Sequence, residues 1–331
     1  MDTHCHSWRH RAAARNVASL SRAKTDWTFD GAWPFAPKRF DTAEGRIHYI
    51  DEGPRDGVPI VMVHGNPTWG YLYRRFIKAV TAQGFRAIVM DHLGFGRSDK
   101  PTRKSAYSIP SHADRCEALL ESLDLNDAVV VMQDWGGPIG LTWAARHAER
   151  VAGLFILNTF FQRPTSKVPL PLVLHAFRTP IVGELLVKGA HAFVRRFLFQ
   201  AGLNDPGCLS ETDKTAYLAP HPTWSSRTGI LAFPRQIPSG PKGPISDFVA
   251  IEGAKLTANF AEKPVKIVWP MKDVAFSLET LENMWIRFFP HADVRRVEQS
   301  GHFIQEDAHD IVIPELMDFI NRLTSMPENR R

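Results

Sequence analysis

Cysteine is scarce: Cys5, Cys116 and Cys208 are the only three in 331 residues. An odd, widely spaced set builds neither a disulfide framework nor a zinc site, so a reducing, cytoplasmic compartment is the simplest expectation. Long apolar runs are missing too. None reaches the roughly 18 residues that a spanning helix needs, which leaves no membrane among the expected partners. The net charge is +5 with a pI near 9.1, yet Lys and Arg are scattered rather than massed, so nucleic acid is not an expected partner either. His-Glu-x-x-His and paired-cysteine spacings are absent, and the glycine pair Gly136–Gly137 lacks the dinucleotide fingerprint. No metal or organic cofactor is expected.

What is present is an ordinary globular composition, 44% hydrophobic and 23% charged. The first 25 or so residues are basic and almost free of acids; residues 1–34 read as a disordered N-terminal extension, with a short tail at 325–331. From Lys38 onward, short apolar runs alternate with amphipathic stretches, the pattern of a mostly parallel sheet flanked by helices. Strands are expected at Arg39–Thr42, Arg46–Asp51, Pro59–Val63, Arg86–Met90, Ala128–Met132, Gly153–Leu157, Val265–Trp269 and Asp293–Val297. The first two form a hairpin across Glu44–Gly45. Helices are expected at Tyr71–Gln83, Ile109–Leu123, Gly136–His147, Leu278–Phe288 and Ile311–Leu323. The rhythm breaks between 158 and 256, a segment rich in Phe, Leu and Pro. It reads as a helical cap inserted into a core of 35–157 and 257–324, above the carboxyl ends of the strands where such sheets bind ligands.

Three segments carry the chemistry. Val129–Gly137 runs from an apolar strand through a sharp turn into a helix, the layout of a nucleophile elbow. Asp134 occupies the nucleophile position. A carboxylate is already ionised at neutral pH and can attack an alkyl carbon directly; the bland alternative is an N-cap. His64-Gly65-Asn66 follows a strand, where the backbone N–H groups of Asn66 and Trp135 can form an oxyanion hole. His302 follows the last strand, in the chain position of a base. Asp273 follows the strand before it, placed to orient the imidazole.

The motifs HGNPTW (His64–Trp69), DHLGFGRSDKP (Asp91–Pro101), QDWGGP (Gln133–Pro138), WPMKDVAF (Trp269–Phe276) and GHFIQED (Gly301–Asp307) resemble those of the haloalkane dehalogenases, within the α/β-hydrolase superfamily, from about Phe35 to Leu323. DHLGFGRSDKP is shared across the superfamily; HGNPTW paired with QDWGGP is far more specific. The resemblance implies an α/β-hydrolase fold with an eight-stranded, mostly parallel sheet and a helical cap. It also implies Asp134 as nucleophile, His302 as base and Asp273 as acid, with Asn66 and Trp135 as halide donors. Asn158 stands where one subgroup has a glutamate acid, so the pattern is that of the third subfamily.

The implied reaction takes a small apolar halogenated substrate and water to an alcohol, a halide ion and a proton through an alkyl-Asp ester. The partners are therefore substrate, water and halide, and the resemblance to the third subfamily adds a tendency to self-associate as a homo-oligomer. Epoxide hydrolases, which resemble this chain in fold and nucleophile, use cap tyrosines, and the cap here holds only Tyr217. Fluoroacetate dehalogenases place arginines beside the nucleophile, and none stands there. Coelenterazine luciferases keep the same residues and are less separable, and a binding protein on this fold would be expected to lose at least one of the five. Phe160, Phe161, Phe193, Phe197, Leu198 and Phe233 are candidates for the apolar wall of the cap.

Overall fold

A computed structural model describes residues 25–167, 170 and 172–326. Eight strands form one sheet: β1 (Lys38–Thr42), β2 (Gly45–Glu52), β3 (Pro59–Val63), β4 (Arg86–Met90), β5 (Ala128–Asp134), β6 (Val151–Thr159), β7 (Val265–Pro270) and β8 (Asp293–Val297). Their order is β1-β2-β4-β3-β5-β6-β7-β8. Only β2 runs against its neighbours, and every other pairing is parallel. Parallel strands covered on both faces are read as continuous apolar runs. β5, Ala-Val-Val-Val-Met-Gln-Asp, is buried along its whole length, each full burial of a Val contributing about 1.5–3 kcal/mol.

The described helices are α1 (Arg74–Ala82), α2 (Ile109–Ser122), α3 (Gly136–Arg146), α4 (Leu172–Arg178), α5 (Glu211–Leu218), α6 (Thr228–Ala232), α7 (Pro244–Asn259), α8 (Leu278–Leu281), α9 (Ile304–Asp307) and α10 (His309–Ser325). Wider, π-type turns occupy Glu184–Gly189, Phe193–Ala201 and Glu282–Ile286. α1 is preceded by a 3-10 turn at Gly70–Tyr73. Among the described residues no helix is long and apolar enough to cross a membrane.

Two boundaries differ from the sequence reading. Of the extension at 1–34, residues 1–24 lie outside the described ones, as do residues 327–331 of the tail. Residues 25–34 are not a loose arm: Trp33 and Phe29 are buried, with the Trp33 ring 5.0 Å from Trp69 and the Phe29 ring 5.8 Å from Tyr71. Aromatic burial ties this segment down, a pull that a basic average composition hides. The inserted segment is helical among its described residues, but its last helix, α7, packs on the core helix α3. Arg146 binds Glu252 at 2.8 Å and Asn259 donates to the Ala145 carbonyl at 2.9 Å.

Candidate active site

β5 ends on Asp134, whose φ of +52° turns the chain sharply into α3. A non-glycine residue there is strained and projects its side chain from the turn. Glycine surrounds it of necessity. A Cβ on Gly65 would lie 2.3 Å from Asp134 Oδ2, and one on Gly136 2.1 Å from the Val63 carbonyl oxygen. Thr159 at the end of β6 donates its hydroxyl to the Asp134 carbonyl, and Trp285 Nε1 holds the Thr159 carbonyl at 2.8 Å.

The Asn66 backbone N–H donates to Asp134 Oδ2 at 2.8 Å, and the Trp135 N–H also supports this carboxylate. His64 fixes that turn. Its Nδ1 donates to the Gly65 carbonyl at 2.8 Å, while its Nε2 accepts the His92 N–H at 3.0 Å. The His92 N–H requires Nε2 to be unprotonated, and burial, against the Gly65 hydrogen bond that favours the cation, lowers the pKa of the ring to about 4. The glycine-rich loop is drawn in by buried Asp91, which accepts from Gly70 N and Arg97 N at 2.8 Å each and pairs with His48.

His302 follows β8 and is buried, with Nε2 3.8 Å from Asp134 Oδ1. Its Nδ1 faces Asp273 at 3.0 and 3.1 Å. The Nδ1–H tautomer leaves Nε2 unprotonated on the Asp134 side of the ring. Burial disfavours the imidazolium, but the charge and hydrogen bonds of Asp273, with the charge of Asp134, outweigh it and raise the His302 pKa. Asp134 is pushed up to about 6 by burial, against the pull of His302 and the two N–H donors.

Asn66, Asp134, Trp135 and His302 line one cavity of about 140 Å³, walled chiefly by Phe160, Leu174, Phe193, Phe197, Ile237 and Phe276. Asp273 stands behind His302, so all five residues singled out from the sequence converge. Asn66 Nδ2 also touches the Ile230 carbonyl at 3.3 Å, while Trp135 Nε1 has no partner among the described residues. Of the six cap candidates, Phe160, Phe193 and Phe197 face the cavity, whereas Phe161, Leu198 and Phe233 do not. Phe233 instead packs edge-on behind Trp135, at 5.6 Å. Tyr217 lies elsewhere, its hydroxyl on Glu306 at 2.5 Å. Among the described residues no group of three His, Cys, Asp or Glu side chains could hold a metal.

Two residues escaped the sequence reading. Gln133 donates its amide to His302 Nε2 at 3.1 Å and to the His302 carbonyl at 3.0 Å. Asn158, noted only as unable to act as an acid, donates to Asp273 Oδ2 at 2.6 Å and to the His302 carbonyl at 2.8 Å. Their positions, directly before Asp134 and at the end of β6, were the available signals.

The family described as alpha/beta hydrolase fold matches residues 58–309. A cis-3-alkyl-4-alkyloxetan-2-one decarboxylase from Shewanella oneidensis is 37% identical, covering 90% of this chain and 92% of the relative. A haloalkane dehalogenase from Mycobacterium marinum is 36% identical over 85% of this chain and 89% of its own. The crystal structure of a haloalkane dehalogenase from Bradyrhizobium elkani superposes with a TM-score of 0.77 at 26% identity, covering 88% of this chain and 99% of that one.

Proposed function

We propose that this chain, which belongs to the α/β-hydrolase fold family, acts as a haloalkane dehalogenase through a covalent ester on Asp134. Asp134 Oδ1 attacks an sp³ carbon from the side opposite the halogen, and halide departs toward Asn66 Nδ2 and Trp135 Nε1. These are neutral donors in an apolar cavity, so they stabilise developing charge without the grip of a buried cation. Water then attacks the carboxyl carbon of the ester while His302 Nε2 takes its proton. Asp273 stabilises the imidazolium, and the N–H groups of Asn66 and Trp135 hold the oxyanion that forms at Oδ2. The ester opens to the alcohol, Asp134 is regenerated, and the proton leaves to solvent.

The observation that carries this reading is the placement of His302, with Nε2 3.8 Å from the nucleophilic carboxylate and Nδ1 anchored on Asp273. Hydrolysis of an ester requires a base at that spot.

A second reading is favoured by the oxetanone decarboxylase relative. The four-membered lactone ring also offers an sp³ carbon, with a carboxylate as leaving group. Attack by Asp134 at C4 would open the ring, and loss of carbon dioxide with expulsion of the Asp134 carboxylate would give an alkene. That route consumes no water and gives the base no water to activate.

The experiment is a substrate panel of bromoalkanes and a cis-3,4-dialkyl-oxetan-2-one, followed by halide, proton and carbon dioxide release, for the wild type and Asp134→Ala. Halide release lost in the variant supports the dehalogenase. Carbon dioxide from the lactone without halide from any bromoalkane supports the decarboxylase and rejects the first reading.

A further inference from the structure

Nine large hydrophobic side chains are exposed among the described residues, and six of them fall in the cap between 172 and 224. Leu172 is 85% exposed, Ile181 73%, Leu185 58% and Trp224 47%, with Val173 and Val182 beside them in sequence. Scattered apolar residues need no explanation, but six of them within one inserted segment do. Leu174, Phe177 and Val187 pack on the buried side of the same segments.

The cluster adjoins the active-site cavity. α4 is a wall between them: Leu174 lines the cavity while Leu172 and Val173 face solvent. Trp224 continues the face, lying against Gly189 with Lys188 Nζ 5.3 Å from its ring. Ala190, the next residue, begins an open hollow lined by Arg195, Arg196 and Lys214.

Charge singles out the occupant. From Phe161 to Asn204 there are six bases, Arg163, Lys167, Arg178, Lys188, Arg195 and Arg196, against one acid, Glu184, and of the bases Arg163 is paired with Asp247 at 2.7 Å. Glu184 is itself neutralised by Lys104, Lys188 and Arg235, at 3.2, 3.5 and 2.9 Å. Exposed aliphatic and Trp side chains flanked by arginines complement an anionic lipid surface, where apolar groups enter the interface and cations meet headgroups.

We propose that the cap face formed by Leu172, Val173, Ile181, Val182, Leu185 and Trp224 docks on anionic lipid bilayers, bringing the cavity beside α4 to the lipid. This goes beyond the sequence expectation of no membrane partner, which rested on the lack of a spanning run. An apolar substrate partitions into lipid, so a cavity opened there draws on a concentrated pool.

The test is co-sedimentation of the full chain with vesicles of phosphatidylcholine, with and without phosphatidylglycerol at roughly 30 mol%, whose negative surface potential attracts basic clusters. It requires no substrate, so its outcome is independent of the assigned reaction. Binding is expected to the anionic vesicles, to weaken with added salt, and to fall at least tenfold in Leu172→Asp/Ile181→Asp and in Arg195→Glu/Arg196→Glu. Both pairs are surface changes outside the cavity, and either alone suffices to judge. No binding by the wild type, or equal binding by both variants, overturns the proposal. So does a wild-type oligomer that ignores vesicles and is split by Leu172→Asp/Ile181→Asp, which would make the face a contact between copies of this chain.

Discussion

At the scale of single residues, the site is a balance of buried charge. Asp134 titrates at about 6 in the fold, against 3.8 for an ordinary aspartate. Between those values the folded protein holds a proton that the unfolded chain has released, so stability falls as pH rises through the window. Near neutral pH the deficit is roughly 3 kcal/mol, at about 1.4 kcal/mol per unit. Asp134→Asn is therefore expected to be about 2 kcal/mol more stable than the wild type at pH 7.5 and little different below pH 4. Urea unfolding at both pH values checks this, and a variant that is weaker at pH 7.5 contradicts it. Gln133 acts on the other partner. Its N–H on the His302 Nε2 lone pair favours the neutral ring, because a hydrogen bond to the uncharged form opposes protonation. Gln133→Met should move the acid limb of ester hydrolysis upward by about half a unit to one unit. A pH profile that stays in place would reduce Gln133 to packing.

Among the elements, the elbow depends on β3 and α3 touching at backbone range. A Cβ at Gly136 meets the Val63 carbonyl oxygen at 2.1 Å, whereas one at Gly240 meets nothing nearer than 3.7 Å. Gly136→Ala should cost about 1–3 kcal/mol of overpacking strain while Gly240→Ala leaves the urea midpoint unchanged; equal midpoints would show that the elbow yields. Such contacts bear on what a sequence can reveal. β3 and β4 were legible to the residue, because their apolar runs are bounded by turn residues, and the bounds of β8 also agree although Asp-Val-Arg-Arg-Val is mostly polar and exposed. β5 runs two residues further, to Asp134, which pairs with Thr159 across a register shift at Gln133. The five site residues were legible because each sits in a local motif after a strand. Gln133 and Asn158 as positioning residues were not, since their partners lie 169 and 144 residues away, across the sheet. Nor could the cap's inward face be read. Phe193 and Phe197 share a π-type segment, whose period departs from the 3.6 residues on which a helical pattern is judged.

Across the whole molecule, a buried network clamps the inserted helical segment to the core. Glu306, four residues after His302, accepts from Arg74 at 2.5 and 2.8 Å, from Arg75 at 2.6 Å, and from Tyr217 of the cap at 2.5 Å. Asp213 in α5 pairs with Arg74 at 2.8 Å and accepts from Tyr71 at 2.8 Å. Tyr217→Phe removes one donor from a buried carboxylate, which should lower stability by about 1.5–3 kcal/mol and leave turnover intact, because the hydroxyl is remote from the cavity. A near-complete loss of turnover in the folded variant would instead make Tyr217 an activating acid, as in an epoxide hydrolase. The central claim, a covalent ester on Asp134 that His302 must clear, is tested most directly by the intact mass of His302→Phe after exposure to a bromoalkane that the wild type turns over. The account predicts a rise equal to the alkyl group, located by peptide mapping on Asp134. An unmodified mass, or an adduct on another residue, would contradict it.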